Sequence, residues 1–111
     1  MIPNRGQIWL VELSPGSGLE QPGRRPCLIL STADFTASTG MTWIAPITSL
    51  GLASRAAGYA VPLGEGRKTT GVVRTDQLRS MDLASRGSHY LETASDVVVD
   101  QVLGMVDSVV E

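Results

Sequence analysis

With 111 residues, 42% of them hydrophobic and 18% charged, the chain is sized for one domain with an ordinary core, which excludes a disordered segment. Its single cysteine, Cys27, excludes an intrachain disulfide, and with one histidine, His89, it leaves no His/Cys set for zinc. The net charge of −2 hides an asymmetry: residues 1–91 hold all 9 basic groups against 6 acidic ones, and residues 92–111 hold 5 acidic groups and no basic one.

A modestly basic body is compatible with a nucleic-acid partner without demanding one. Eight of its nine cations are arginine, whose planar fork suits phosphate. Met1 to Gly6 lacks the apolar core of a signal segment, and no apolar run approaches the ~20 residues that span a bilayer. A soluble cytoplasmic protein is expected.

Ile8 to Leu13 reads as a first strand. Ser14-Pro15-Gly16-Ser17-Gly18 has the composition of a mobile loop. Pro26 to Ser31 is a second strand, and Cys27 within it reads as a small buried hydrophobe. Thr42 to Thr48 is a third, where Pro46 marks an edge or a bulge. Tyr59 to Leu63 and Thr70 to Arg79 are the fourth and fifth. Many short strands at close spacing predict a small β-barrel. From Asp96 to Glu111 the pattern changes. Acidic residues at 96, 100, 107 and 111 oppose Val98, Val102, Met105, Val106 and Val109, which is a helical period. Thr93 with Asp96, or Ser95, can cap its start. Valine is a middling helix former and Gly104 costs about 1 kcal/mol, so packing on the barrel must hold this helix.

Three segments carry chemistry. In Thr70-Gly71-Val72-Val73-Arg74-Thr75-Asp76-Gln77, a strand places residues i and i+2 on one face, so Arg74 and Asp76 stand side by side. Such pairs are commonly weak surface ion pairs. A carboxylate beside a guanidinium can also accept a proton while a neighbouring phosphate is held, which suits metal-free cleavage of an RNA phosphodiester. In Glu20-Gln21-Pro22-Gly23-Arg24-Arg25-Pro26, the proline forces Arg25 into an extended conformation. In Ala45-Pro46-Ile47-Thr48-Ser49, two hydroxyls follow a proline at a strand end. Together these segments supply a proton acceptor, a proton donor and groups that stabilise charge on a phosphorane-like transition state. Gly64-Glu65-Gly66-Arg67-Lys68-Thr69 fails as a phosphate loop because Arg67 replaces the glycine before the lysine. It reads as a flexible hairpin tip. No Ser-His-Asp triad stands out, and His89 beside Tyr90 reads as a surface residue.

These segments, in this order, resemble the PemK/Kid branch of the MazF-like toxins of toxin–antitoxin pairs. The similarity runs nearly end to end, from Arg5-Gly6-Gln7-Ile8-Trp9-Leu10-Val11 to Met81-Asp82-Leu83 and Arg86-Gly87. The resemblance implies an SH3-like (CcdB/PemK) β-barrel with a C-terminal amphipathic helix, a homodimer, and sequence-specific cutting of single-stranded mRNA. The reaction it implies needs no metal or cofactor and leaves 2′,3′-cyclic phosphate and 5′-hydroxyl ends. It assigns catalytic roles to the positions of Asp76, Arg74, Arg25 and Thr48, with Asp76 as base and Arg74 as acid in the PemK/Kid branch. RNA contacts fall to Glu20, Gln21, Ser49, Thr70, Val72, Gln77 and Arg86. An antitoxin with an acidic tail is the implied partner. A departure is Leu19, where the branch carries histidine. The competing readings are a non-enzymatic CcdB-like gyrase poison, which lacks the Arg-x-Asp motif, and a degenerate toxin, suggested by Leu19.

Overall fold

The computed structural model describes residues 1–14, 18–20, 23–49 and 58–111. Among the described residues seven strands form: β1 (Gln7–Glu12), β2 (Arg24–Ile29), β3 (Thr42–Thr48), β4 (Ala60–Pro62), β5 (Val72–Arg74), β6 (Arg79–Met81) and β7 (His89–Thr93). Two helices join them, α1 (Ala33–Thr39) and α2 (Asp96–Val110). The strand order is β4-β5-β3-β2-β1-β7, with β6 also on β3, and all pairings are antiparallel.

Alternation along each strand divides the apolar residues between the two sheet faces. One face carries Ile8, Leu28, Ala45, Ile47, Val61 and Val73, and α2 covers it with Val98, Val99 and Val102. The other carries Trp9, Val11, Cys27, Ile29 and Ile44, covered by Met81 and Leu83. The ends of the strand order meet through side chains: Arg67 Nη1 donates to the Thr93 carbonyl at 2.9 Å, and the Thr69 amide donates to Glu92. These bonds bring the β4–β5 connection onto β7 and complete the barrel-like wrap. The segment expected as a free hairpin tip is thus anchored.

The expected strand from Thr70 to Arg79 is instead two strands separated by a 3₁₀ turn at Thr75–Gln77. The reason lies in β3. Its end pairs with β5 (Ile47 with Val73, Thr48 with Val72), while its start pairs with β6 (Thr42 with Met81, Ile44 with Arg79). One continuous strand could serve both only without the turn. Pro46 sits at this junction, neither at a sheet edge nor at a bulge. The Leu30 amide donates to the Trp43 carbonyl at 2.8 Å, and the β2–β3 register places Cys27 opposite Pro46. Hydrogen-bonded and non-bonded pairs alternate along an antiparallel ladder, so the backbone of Pro46 points away from β2. It faces the gap between β5 and β6, where an N–H has no ladder to join.

Two elements were absent from the sequence expectation. Helix α1 is capped by Thr32, whose Oγ1 accepts from the Phe35 amide at 3.3 Å, and it ends at Gly40 with φ +77°. Strand β7 pairs with β1 across a register shift between Ile8 and Trp9, which breaks the simple alternation. Helix α2 begins as expected, with Ser95 Oγ accepting from the Val98 amide. Its last turn departs from the expected apolar face, since Val109 is 64% exposed.

Candidate active site

Arg74 closes β5 and Asp76 lies in the 3₁₀ turn that follows. The pair is bidentate: Nε to Oδ1 at 2.8 Å and Nη2 to Oδ2 at 2.7 Å. The sequence argument placed them together as i and i+2 on one extended strand. The structure brings them together because the chain turns between them and folds the carboxylate back over the guanidinium. Arg74 is only 1% exposed, whereas the Asp76 side chain reaches solvent. The commoner weak surface pair is therefore ruled out by burial of the cation.

The pair polarises both partners. Burial pushes the Asp76 carboxyl up, but the hydrogen bonds and charge of Arg74, with a further bond from Gln77, hold it below its ordinary value. The bonds to Asp76 raise Arg74 against the opposing effect of burial. In the unliganded protein the base is weak and the guanidinium keeps its proton firmly.

Thr48 ends β3 and is 3% exposed, and its Oγ1 has no hydrogen-bond partner among the described residues. A buried hydroxyl without a partner is uncommon and points to a group that engages a ligand. Thr48 lies opposite Val72 on one side. On the other, the β2–β3 register of Cys27 with Pro46, continued by two residues, sets Arg25 opposite Thr48. That position is of the non-bonded type, in which facing side chains come closest. By alternation Arg25, Thr48 and Arg74 share the face of Cys27 and Ile44. Arg25 is half-buried, pairs in register with Val11, and its carbonyl accepts from Cys27 Sγ at 3.5 Å. Burial raises the Cys27 thiol to about 12, partly offset by the charges of Arg79 and Arg25. Cys27 is thus inert packing, and two cations flank it.

Gly71 holds this arrangement together. Its φ is +124°, and a Cβ there would meet the Thr48 carbonyl oxygen at 2.2 Å. Only glycine lets the start of β5 approach the end of β3 so closely.

The expected RNA contacts divide. Glu20, Ser49 and Thr70 are exposed, and Gln77 is half-buried beside Asp76. Val72 is 2% exposed, so its side chain forms the floor and not the wall of any groove. Arg86 Nη1 donates to the carbonyls of Glu12 (3.0 Å) and Ser14 (3.2 Å), so it braces the end of β1. Gln21 lies outside the described residues, as does most of the loop expected from Ser14 to Gly18. Leu19, in the position where a histidine was noted as missing, is 70% exposed. The sequence reading passed over Arg79, whose Nη1 donates to the Leu13 carbonyl at 3.1 Å. Its place on the site face follows from the β3–β6 register, which sequence alone did not reveal.

The described residues form a small antiparallel barrel-like sheet with a C-terminal helix, and they present a buried arginine paired with a carboxylate on the face that also carries a buried threonine hydroxyl. The comparisons give this arrangement a family. Residues 4–110 match the family described as PemK-like, MazF-like toxin of type II toxin–antitoxin system, and the chain belongs to it. It is 45% identical over 106 residues to Endoribonuclease PemK of Escherichia coli, covering 95% of this chain and 80% of that one. It is also 45% identical over 109 residues to Endoribonuclease toxin ChpB of Escherichia coli (strain K12), covering 96% and 93%. Among solved structures, MazF (Form-I) from Deinococcus radiodurans superposes with a TM-score of 0.87 at 35% identity, covering 99% of this chain and 97% of that one.

Proposed function

We propose that this chain is a sequence-specific, metal-independent endoribonuclease toxin that cuts single-stranded mRNA. The observation that carries this is the buried, bidentate Arg74–Asp76 pair on the same face as the buried Thr48 hydroxyl. The scissile phosphate lies against Arg25 and Thr48 and draws the Arg74 guanidinium toward it. Sharing Arg74 with a phosphate weakens its hold on Asp76, so substrate binding itself returns the carboxylate toward ordinary basicity. Asp76 then takes the proton of the ribose 2′-hydroxyl. The 2′-oxygen attacks phosphorus, the bond to the 5′-oxygen breaks, and Arg74 acts as acid through a water it orders, which delivers a proton to that oxygen and regains one from Asp76. The products are a 2′,3′-cyclic phosphate and a 5′-hydroxyl. Arg25 and the Thr48 hydroxyl stabilise the charge that grows on the equatorial oxygens.

Glu20, Gln21, Ser49, Thr70, Gln77 and Arg86, around the Val72 floor, are proposed to flank the RNA. The partner is a cognate antitoxin whose acidic tail covers the cationic groove in the cytoplasm. A second copy of the chain completes a longer groove.

The test is incubation of purified protein with a long single-stranded RNA in EDTA, followed by mapping of the ends. Defined cuts with 5′-hydroxyl ends, lost in Asp76→Ala and Arg25→Ala, are expected. Intact RNA with wild-type protein, or equal cutting by both variants, rejects the reading.

A further inference from the structure

The stretch that contributes Thr70 and Val72 to the proposed groove is fastened at both ends, and one fastening comes from a residue outside the site. Glu92 projects from β7, the last strand in the sheet order, and its Oε2 accepts from the backbone amide of Thr69. Arg67, two residues earlier, donates to the carbonyl of Thr93, the next residue on β7. Thr69 is 8% exposed and Thr70 beside it is exposed. The clasp therefore turns one residue inward and leaves the next facing solvent, just before β5. At the other end, Gly71 lies against the Thr48 carbonyl. Burial acts to raise Glu92, but the hydrogen bonds from Thr69 and the Lys68 backbone, with the charge of Arg67, hold it below the ordinary carboxylate range. The ionised carboxylate is thus the form that grips the loop, through charge-assisted bonds to backbone amides.

We propose that Glu92 is a positioning residue for RNA binding, acting through the Thr69 amide to fix Thr70 at the groove edge. It touches neither the reacting atoms nor the Arg74–Asp76 pair, so its loss should weaken substrate capture and spare the chemical step. This rests on the endoribonuclease reading above. The assay is steady-state cleavage of a single-stranded RNA oligonucleotide with one cut site by wild type, Glu92→Ala, Glu92→Asp and Glu92→Gln. Amide hydrogen exchange at Thr69, Thr70 and Gly71 is followed alongside. Glu92→Ala should raise KM about tenfold with kcat within about twofold, the pattern of lost binding and not of lost transition-state contact. Exchange at the three amides should quicken about tenfold or more, as expected when a local restraint is removed. Glu92→Asp, one methylene too short, should move the same way. Glu92→Gln keeps an acceptor oxygen and should restore KM to within about threefold of wild type.

A purely structural role would lower the folded fraction and leave KM unchanged, so unchanged KM in both Glu92→Ala and Glu92→Asp overturns the proposal. A fall in kcat alone overturns it too, as does undisturbed exchange at Thr69 and Thr70. Should Glu92→Ala fail to fold, Glu92→Asp against Glu92→Gln decides. If wild type itself leaves RNA intact, the endoribonuclease reading fails, and the exchange data still decide whether Glu92 holds the loop.

Discussion

Removing the Asp76 carboxylate should harm the fold as well as the chemistry, which separates this pair from an ordinary surface contact. Arg74 is 1% exposed, and its guanidinium donates twice to Asp76, at 2.8 and 2.7 Å. In Asp76→Ala those two donors lose their carboxylate in a place where little water can replace it. Breaking a fully buried pair costs about 3–5 kcal/mol. The Asp76 side chain retains 23% exposure, and water entering its space will screen part of that penalty. A loss of roughly 2 kcal/mol is therefore expected, within the range for a charged hydrogen bond. For a domain of this size that corresponds to a fall in Tm of about 8 °C. Urea unfolding followed by tryptophan fluorescence measures it, with the midpoint falling at constant slope. The decisive arm is the double variant Arg74→Met/Asp76→Ala. Removing the buried cation as well should recover part of the lost stability, while cleavage stays absent. Asp76→Ala as stable as wild type, or a double variant no better than the single one, would refute the argument that a buried charge needs its partner here.

Three further outcomes follow from the site. Thr48→Val replaces a hydroxyl that has no partner among the described residues by a methyl of similar shape, so stability should change by less than about 0.5 kcal/mol while kcat falls about 100-fold, as read by urea unfolding and single-turnover cleavage. Gly71→Ala places a Cβ 2.2 Å from the Thr48 carbonyl at φ +124°, so it should destabilise by about 3 kcal/mol or more and abolish cutting; wild-type unfolding in this variant would contradict the close approach. The folded-state pKa of Asp76 is depressed, so its stabilisation is fully present above the unfolded carboxylate value of about 4 and is lost as pH falls through the lower folded value. The stability gap between wild type and Asp76→Asn should thus stay flat from pH 8 to about 5 and close only in stronger acid, which urea titrations at stepped pH can follow.

How much of this was legible depends on whether a feature is local. Strand β3 was read to its observed ends, because Thr42–Thr48 is an apolar run between turns, and α2 was read from its period and the Ser95 cap. Helix α1 was missed although Thr32 and Gly40 bracket it at helix-like distance, since its seven residues include no fully buried one and so show no apolar stripe. The break between β5 and β6 was invisible for another reason. Nothing in Thr75-Asp76-Gln77 announces a turn strongly. The turn exists because β3 takes two partners on one edge.

The same distinction sorts the site. Arg74 and Asp76 are two residues apart, so almost any compact conformation keeps them close, and their pairing could be anticipated even from an incorrect strand. Arg25 and Thr48 lie on adjacent strands, β2 and β3; their segments were singled out by proline and hydroxyl chemistry at strand ends, and their catalytic roles by the resemblance. Arg79 reaches its place across 66 residues from Leu13, and Glu92 across 23 from Thr69. Both act on backbone groups, which have the same chemistry at every position and leave no trace in a side-chain pattern. A sequence reading therefore finds side chains that meet each other and misses side chains that hold the main chain. In this barrel the second kind fixes the backbone around the proposed groove. Arg79 and Arg86 fix the end of β1, Glu92 and Arg67 fix the approach to β5, and the Arg74–Asp76 pair works between them.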